Sequence, residues 1–245
     1  MKQVKYKPDI YEKFFTEYTH SQSIIFSHLN GDYPYELYVD DEHKPTFGIL
    51  YTTLDYHFVF GEINIDQLQQ NLMLYIKNHH SQEAIILTPD GNPSDTMKEL
   101  ISRFNGVIGK RFFFKLDKET FKNKVSQFNS TNIIITKETF KNTKKSYLKA
   151  SWIENEKELG FSKVFALGNN YGEIDVFTDE LHRKKGIAVA TSIALIDACL
   201  KEGIEPLWTA WSAKIESHKV AEKIGFKKVL DINAFIWVQD FFRIG

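Results

Sequence analysis

The chain has almost no cysteine, little proline, no excess charge of either sign and no long apolar run, and each shortage excludes something. One cysteine in 245 residues, Cys199, excludes an intramolecular disulfide. It lies in a strongly apolar helical run, so it reads as a buried core thiol rather than a nucleophile. The 6 prolines are scattered, and no low-complexity or Pro/Gly-rich stretch marks a linker. Lysine and arginine number 31 against 32 acidic residues, so no overall field draws nucleic acid or an anionic membrane. No stretch approaches the ~18 uninterrupted apolar residues of a membrane span. The opening residues, Met1 to Phe15, hold no apolar core of a secretory signal, and a cytoplasmic location is expected. His79-His80 ends a helical run, where cations suit the helix dipole. No second ligand pair stands at metal spacing, so no metal is expected.

What is present is a core. Hydrophobic residues make up 42% of the chain, with 20 Phe and 11 Tyr, the balance of a globular protein rather than a disordered one. At this length the chain fits one large domain or two small ones. Apolar periodicity predicts a helix over Ile10–Tyr18, then short strands over Tyr35–Val39, Thr46–Tyr51 and Tyr56–Phe60. A helix over Ile65–Lys77, a strand over Ala84–Leu87, a helix over Met97–Phe104 and a strand over Val107–Leu116 complete the first half. The second half begins between 117 and 130. Strands are predicted at Ile133–Ile135, Tyr147–Ile153, Lys163–Ala166 and Gly172–Phe177. Lys185–Lys201 is the best helix, with Ile187, Ala190, Thr191, Ala194, Leu195 and Ala198 in an apolar stripe and Gly203 at its end. A strand at Pro206–Thr209, a helix at Glu216–Ile224 ended by Gly225, and a strand at Val229–Val238 follow. Both halves thus read as strands, helix, strand, helix, strand.

One segment carries chemistry. A strand ends near Thr178, a short loop turns, and a helix opens with Gly186 and Ala188 at its first positions. Glycine lets the backbone approach a bound group. The unpaired N–H groups of a helix start, with the positive end of its dipole, favour an anion such as a pyrophosphate. Arg183, Lys184 and Lys185 make the spot basic in a neutral chain. A merely solvated loop is the plain alternative, and the strand-to-helix context favours the anion site.

Arg183-x-x-Gly186-x-Ala188 resembles the [Q/R]-x-x-G-x-[G/A] loop of the GNAT N-acetyltransferase superfamily. There too a strand precedes the loop. About twenty residues on, that family shows a strand and then a helix ending in K-x-G-F. Here stand Pro206-Leu-Trp-Thr209 and Ser217 to Phe226, the latter ending Lys223-Ile-Gly225-Phe226. The wording of Thr178 to Ala188 and of Pro206-x-Trp208 resembles a two-part GNAT group that includes zwittermicin A resistance-like acetyltransferases, in which a degenerate half precedes the active one. The resemblance implies an α/β (α+β) fold, a mixed, mostly antiparallel sheet flanked by helices. It implies a degenerate GNAT-like domain over residues 1–125 and an acetyl-CoA-binding domain over 126–245.

It further implies that main-chain groups of Val176, Phe177 and Thr178 meet the pantetheine of acetyl-CoA. Arg183, Lys184, Lys185, Gly186, Ile187 and Ala188 would hold its pyrophosphate. An acceptor amine attacks the thioester directly, so the enzyme must position the partners, take a proton from the amine and tolerate a thiolate leaving. Glu173 and Asp175 are the candidate bases, since strand alternation puts both on one face. Salt-bridged or solvated carboxylates are the plain alternative for each. The tyrosine that many relatives place four residues after Ser217 is Ala221 here, and the asparagine three residues before is Lys214. Ser217, Ser212 or a water is left to serve as acid, or the thiolate departs without one, since a thiol pKa of ~8.5 makes it a tolerable leaving group. The expected reaction is acetyl transfer from acetyl-CoA to the primary amine of a small molecule, by a monomer or homodimer that contacts neither nucleic acid nor membrane. A catalytically silent CoA-binding module is the alternative, kept open by Ala221.

Overall fold

The computed structural model describes residues 1–91, 95–126, 132–139 and 145–238. In chain order the elements are β1 (Lys2–Val4), α1 (Pro8–Thr16), α2 (Gln22–Leu29), β2 (Tyr35–Val39), β3 (Phe47–Thr52), β4 (Tyr56–Gly61), α3 (Ile65–His79), β5 (Glu83–Leu87), α4 (Asp95–Arg103), β6 (Val107–Leu116), α5 (Lys118–Ser126), β7 (Ile133–Thr139), β8 (Ser146–Glu154), β9 (Lys157–Gly168), β10 (Tyr171–Thr178), α6 (Ile187–Lys201), β11 (Glu205–Trp211), α7 (Ile215–Ile224) and β12 (Phe226–Val238). The fold is mixed α/β, with mostly antiparallel strands flanked by helices, as expected.

The chain groups into two compact units, Met1–Arg111 with the chain from Asp231 onward, and Phe112–Leu230. A cut at 125/126 would keep the whole of β12 with the second half. The contacts instead give its later part to the first unit, because Phe235–Val238 pairs antiparallel with Glu83–Ile86 of β5. Apolar side chains of that part, Phe235 and Trp237, complete a core with Phe47, Ile49, Val59, Leu68, Leu72, Ile86 and Leu100.

In the first unit β2, β3 and β4 form an antiparallel meander, α3 crosses over, and β5 returns parallel to β4. The order recurs in the second unit. There β8, β9 and β10 are antiparallel, α6 crosses over, and β11 returns parallel to β10.

Helix α6 carries four alanines, the strongest helix former, while its β-branched Ile187, Val189, Thr191, Ile193 and Ile196 are held helical by the packing of its apolar face. Its end is set by a Schellman motif: Ile204 N–H reaches Cys199 O at 2.8 Å and Gly203 N–H reaches Leu200 O at 3.2 Å. Its buried stripe, including Ile187, Leu195, Ile196 and Cys199, packs on β8, β9 and β10. The close approach depends on Gly160 of β9, where a Cβ would stand 2.7 Å from the Ile187 side chain and 2.8 Å from Phe177 O. A buried hydroxyl cluster, Ser162 Oγ to Thr191 Oγ1 at 2.8 Å and to Ser192 Oγ at 2.9 Å, ties the helix to that strand. Cys199 is wholly buried, and burial pushes its thiol up to about 12, so it is an inert core group.

Candidate active site

The predicted loop is a built turn. Asp179 accepts from Leu181 N–H at 3.0 Å and faces His182 Nδ1 at 2.9 Å, which shapes a short 3-10 turn over Glu180–His182. The Arg183 guanidinium lies 3.1 Å from Glu180, whereas Lys184 and Lys185 are exposed. Gly186 then caps α6 at φ +84°, a left-handed conformation that disfavours any side chain. A Cβ there would meet nothing within 4 Å, so the space over the helix start is open. Helix α6 has no side-chain cap and no acidic residue in its first turn. Its first helical bond runs from Ala190 N–H to Gly186 O at 3.0 Å, which leaves the amides of Ile187, Ala188 and Val189 without an intrahelical acceptor. Since the Ile187 side chain is buried, this array of donors is fixed in place.

Beside the loop the sheet opens. The β10–β11 ladder runs from Tyr171↔Glu205 to Glu173↔Leu207 and stops there. Beyond it, β10 continues to Thr178 paired only with β9, through Val176↔Ser162, Phe177↔Phe161 and Thr178↔Gly160. The backbone groups of Ile174–Thr178 that point toward β11 therefore have no ladder partner, a strand edge that an extended ligand chain suits. At the lip of this fork the Thr178 hydroxyl is buried and has no hydrogen-bond partner among the described residues. An unmet buried hydroxyl costs about 1–3 kcal/mol, and an arriving polar ligand recovers it.

Glu173 stands at the last paired position, only 1% exposed, and accepts a hydrogen bond from Thr209 Oγ1 at 2.6 Å. Asp175 shares its face by alternation but is half-exposed, 3.7 Å from Lys163. Phe177 follows on that face, 48% exposed and stacked on Phe161 at 5.5 Å. Ser217, in the first turn of α7, accepts from Trp208 Nε1 at 3.1 Å, and Ala221 is wholly buried. Trp208 is itself a packing residue, 3% exposed and 5.6 Å from the Phe226 ring. Thr209 enters the sequence reading only as the end of the strand segment Pro206-Leu-Trp-Thr209, with no role of its own. Only the register of β10 against β11 brings it to Glu173, so sequence reasoning passed it over.

This donor set fits an acyl-CoA: open helix amides with exposed lysines for a pyrophosphate, an unpaired strand edge for an amide-bearing arm, and an orphaned hydroxyl between them. Among the described residues no helix is long and apolar enough to cross a membrane. Comparisons with known proteins agree with the geometry. An uncharacterized N-acetyltransferase, YdfB of Bacillus subtilis, is 33% identical over 69 residues, which is 28% of this chain and 26% of that protein. This chain thus matches about a quarter of that relative's length. The crystal structure of a GCN5-related N-acetyltransferase-like protein from Streptococcus suis has a TM-score of 0.68 at 19% identity, covering 92% of this chain and 96% of that one. A tandem GNAT protein from the clavulanic acid biosynthesis pathway has a TM-score of 0.59 at 8% identity, covering 96% of each. A GNAT-family acetyltransferase from Colwellia psychrerythraea has a TM-score of 0.56 at 10% identity, covering 96% and 98%. At these identities the structural likenesses establish the fold, and the two-unit layout extends along the chain. The family model described as GNAT acetyltransferase matches residues 12–235, and the chain belongs to that family.

Proposed function

We propose that the second unit moves an acetyl group from acetyl-CoA to the primary amine of a small molecule, by direct attack. The observation that carries the reading is one juxtaposition. An uncapped, basic helix start stands at the end of a strand whose ladder to its neighbour stops at a buried carboxylate. Acetyl-CoA supplies the activated acyl carbon. The amides of Ile187–Val189, with Lys184, Lys185 and Arg183, hold the pyrophosphate, and the open edge of Val176–Thr178 holds the arm. Glu173 is the base: it is screened from water, so a proton taken from the amine is not lost to bulk solvent during transfer. Asp175, half-exposed and close to Lys163, suits orientation of a cationic acceptor better. No dedicated acid is required, because a thiol pKa near ~8.5 makes the thiolate a tolerable leaving group.

The first unit is read as the GNAT-like half without a cosubstrate site, so each chain takes one acetyl-CoA. Ala221, wholly buried where relatives carry a tyrosine, favours a second reading, a module that binds acetyl-CoA without transferring it. Calorimetry and a thiol-release assay over an amine panel separate the two. Saturation at one acetyl-CoA per chain is expected, with stabilisation of about 2.7 kcal/mol at a hundredfold excess over Kd. Thiol release that depends on the amine establishes transfer. Tight binding without release leaves the silent module, and an absence of binding at millimolar acetyl-CoA rejects both.

A further inference from the structure

The strand that lines the fork leaves two side chains in the open on one face. Past Glu173, where the β10–β11 ladder stops, alternation puts Asp175 and Phe177 on the face of Glu173. The Asp175 side chain is 51% exposed, and Phe177 is exposed to nearly the same degree. The ion pair of Asp175 with Lys163, at 3.7 Å, is longer than a hydrogen bond. A carboxylate has several lone-pair sites, so Asp175 keeps room for a second cation.

The charges around these two side chains decide the sign of what fits there. Phe161, on which Phe177 stacks, lies under two ammonium groups, Lys149 at 4.8 Å and Lys163 at 5.1 Å. Three carboxylates face them. Glu138 and Glu158 reach Lys149 at 3.0 and 2.9 Å, and Asp175 stands near Lys163. Within this cluster carboxylates outnumber ammonium groups three to two. An anionic ligand group would meet lysines that are already engaged, whereas a cationic one completes the count.

We infer that the acceptor is a linear aliphatic diamine of the length of 1,4-diaminobutane. One amine attacks at the fork, and the other stays an ammonium, held by Asp175 beside the ring of Phe177. The inference rests on the acyl-transfer reading above. Residues two apart in a strand stand about 6.6 Å apart. Five bonds of about 1.5 Å, set zigzag, put the nitrogens of an extended 1,4-diaminobutane about 6 Å apart. The diamine therefore reaches from the level of Glu173 to that of Asp175, and Phe177 offers its face to the same ammonium. The atoms balance. The neutral amine uses its electron pair to form the C–N bond, the C–S bond breaks with its pair on sulfur, and one N–H proton passes to the base of the site. The far ammonium takes no part in the bonding changes.

The test compares acceptors of one length that differ at the far end: 1,4-diaminobutane, 4-aminobutan-1-ol and 4-aminobutanoate. Their kcat/KM values should fall in that order. After allowance for its two equivalent amines, the diamine should lead the amino alcohol by ~10-fold, the size of a partly exposed ion pair and a cation–π contact together. The lead should shrink as salt is raised, because the pair is open to screening. Asp175→Asn should cut the ratio of diamine to amino alcohol to ~2-fold, since only the cation–π contact is left. Asp175→Lys should put 4-aminobutanoate first. A ratio taken on one preparation does not depend on how much of a variant folds.

Equal use of the diamine and the amino alcohol by the wild type overturns the diamine while leaving acyl transfer intact. A diamine preference that survives in Asp175→Asn does the same, as does transfer to other amines but to none of these. A wild-type preference for 4-aminobutanoate would make Lys163 the anchor and reverse the inference. Wild-type protein that binds acetyl-CoA yet acetylates no amine of any kind removes the transfer reading, and the diamine with it.

Discussion

The two crossovers of this chain share a topology and differ in everything that chemistry needs. In the first, the ladder of β4 with β5 stops at Phe58↔Leu87. At the fork beyond it sits Tyr18, wholly buried, its hydroxyl hydrogen shared between Val59 O at 2.6 Å and Leu87 O at 2.8 Å. The crossover helix α3 is capped by its own chain, Asn64 Oδ1 accepting from Gln67 N–H at 3.1 Å, and Asp66 adds a negative charge to its first turn. In the second crossover no side chain caps α6, no acid stands in its first turn, and the fork holds a carboxylate and a hydroxyl. One fork is satisfied internally and the other is left with donors to spare. A repeated fold therefore does not imply a repeated site: a tyrosine, an asparagine and an aspartate suffice to close one.

The largest expected effect tests how the first unit is closed. Its interior includes His20, His28 and His57, each at most 1% exposed. Burial lowers them from 6.5, His20 and His28 to about 4 and His57 to about 3, with the Thr88 and Ile24 carbonyls partly opposing at the first two. The unfolded chain then binds more protons than the folded one between those values, so acid favours unfolding. The stabilisation is fully present above pH 6.5. It is lost as pH falls toward 4 for His20 and His28 and toward 3 for His57, on the order of 3 kcal/mol for each of the first two and about 5 kcal/mol for the third. Amide hydrogen exchange, corrected for intrinsic rates, should show protection failing first within residues 1–111 as pH drops to 5. Equal loss within 112–230 would break the contrast.

Next in size is the open end itself. Gly186→Glu puts a carboxylate over the donors of α6 at a left-handed position, and acetyl-CoA affinity should fall at least ~100-fold. Gly186→Ala separates charge from strain. Its methyl meets nothing within 4 Å, so only the conformational cost of about 1–2 kcal/mol is incurred, and binding should weaken far less. Calorimetry on the pair decides: equal affinity in the glutamate variant and wild type would mean that the helix start does not hold the pyrophosphate.

Much of this contrast was legible before the fold was known. The strand Val107–Leu116 and the starts of β2, β4 and α3 coincide with their periodic apolar patterns, and the Gly203 and Gly225 stops are where glycine must take a positive φ. Helix α2 was not legible. Ser23, Ile24, Ile25, Phe26, Ser27, His28 and Leu29 are all buried, so no polar face gives a 3.6-residue rhythm. Short polar α5 was missed for the opposite reason, since only Phe121 of its residues is buried. The basic loop announced itself through local residue types. Thr209 did not, because its meaning depends on a strand that is distant in sequence, and neither did the return of β12 to β5. Local motifs expose the loop; pairing across strands exposes the Glu173–Thr209 hydrogen bond beside it.

The smallest effect asks whether an open helix start is enough to make a site. Asn64→Ala removes the cap of α3 and frees the Gln67 amide, which should cost about 1 kcal/mol and lower the thermal midpoint by roughly 2–4 °C. It should not create a second acetyl-CoA site, for two reasons in the first unit. Asp66 remains in the first turn, its carboxylate already holding the Arg103 guanidinium at 2.6 Å, and Tyr18 still fills the fork that the ligand's arm would need. Calorimetry on this variant should keep one acetyl-CoA per chain. Binding of a second equivalent would mean that the cap alone closes the first fork, and Tyr18 would then be packing rather than a plug.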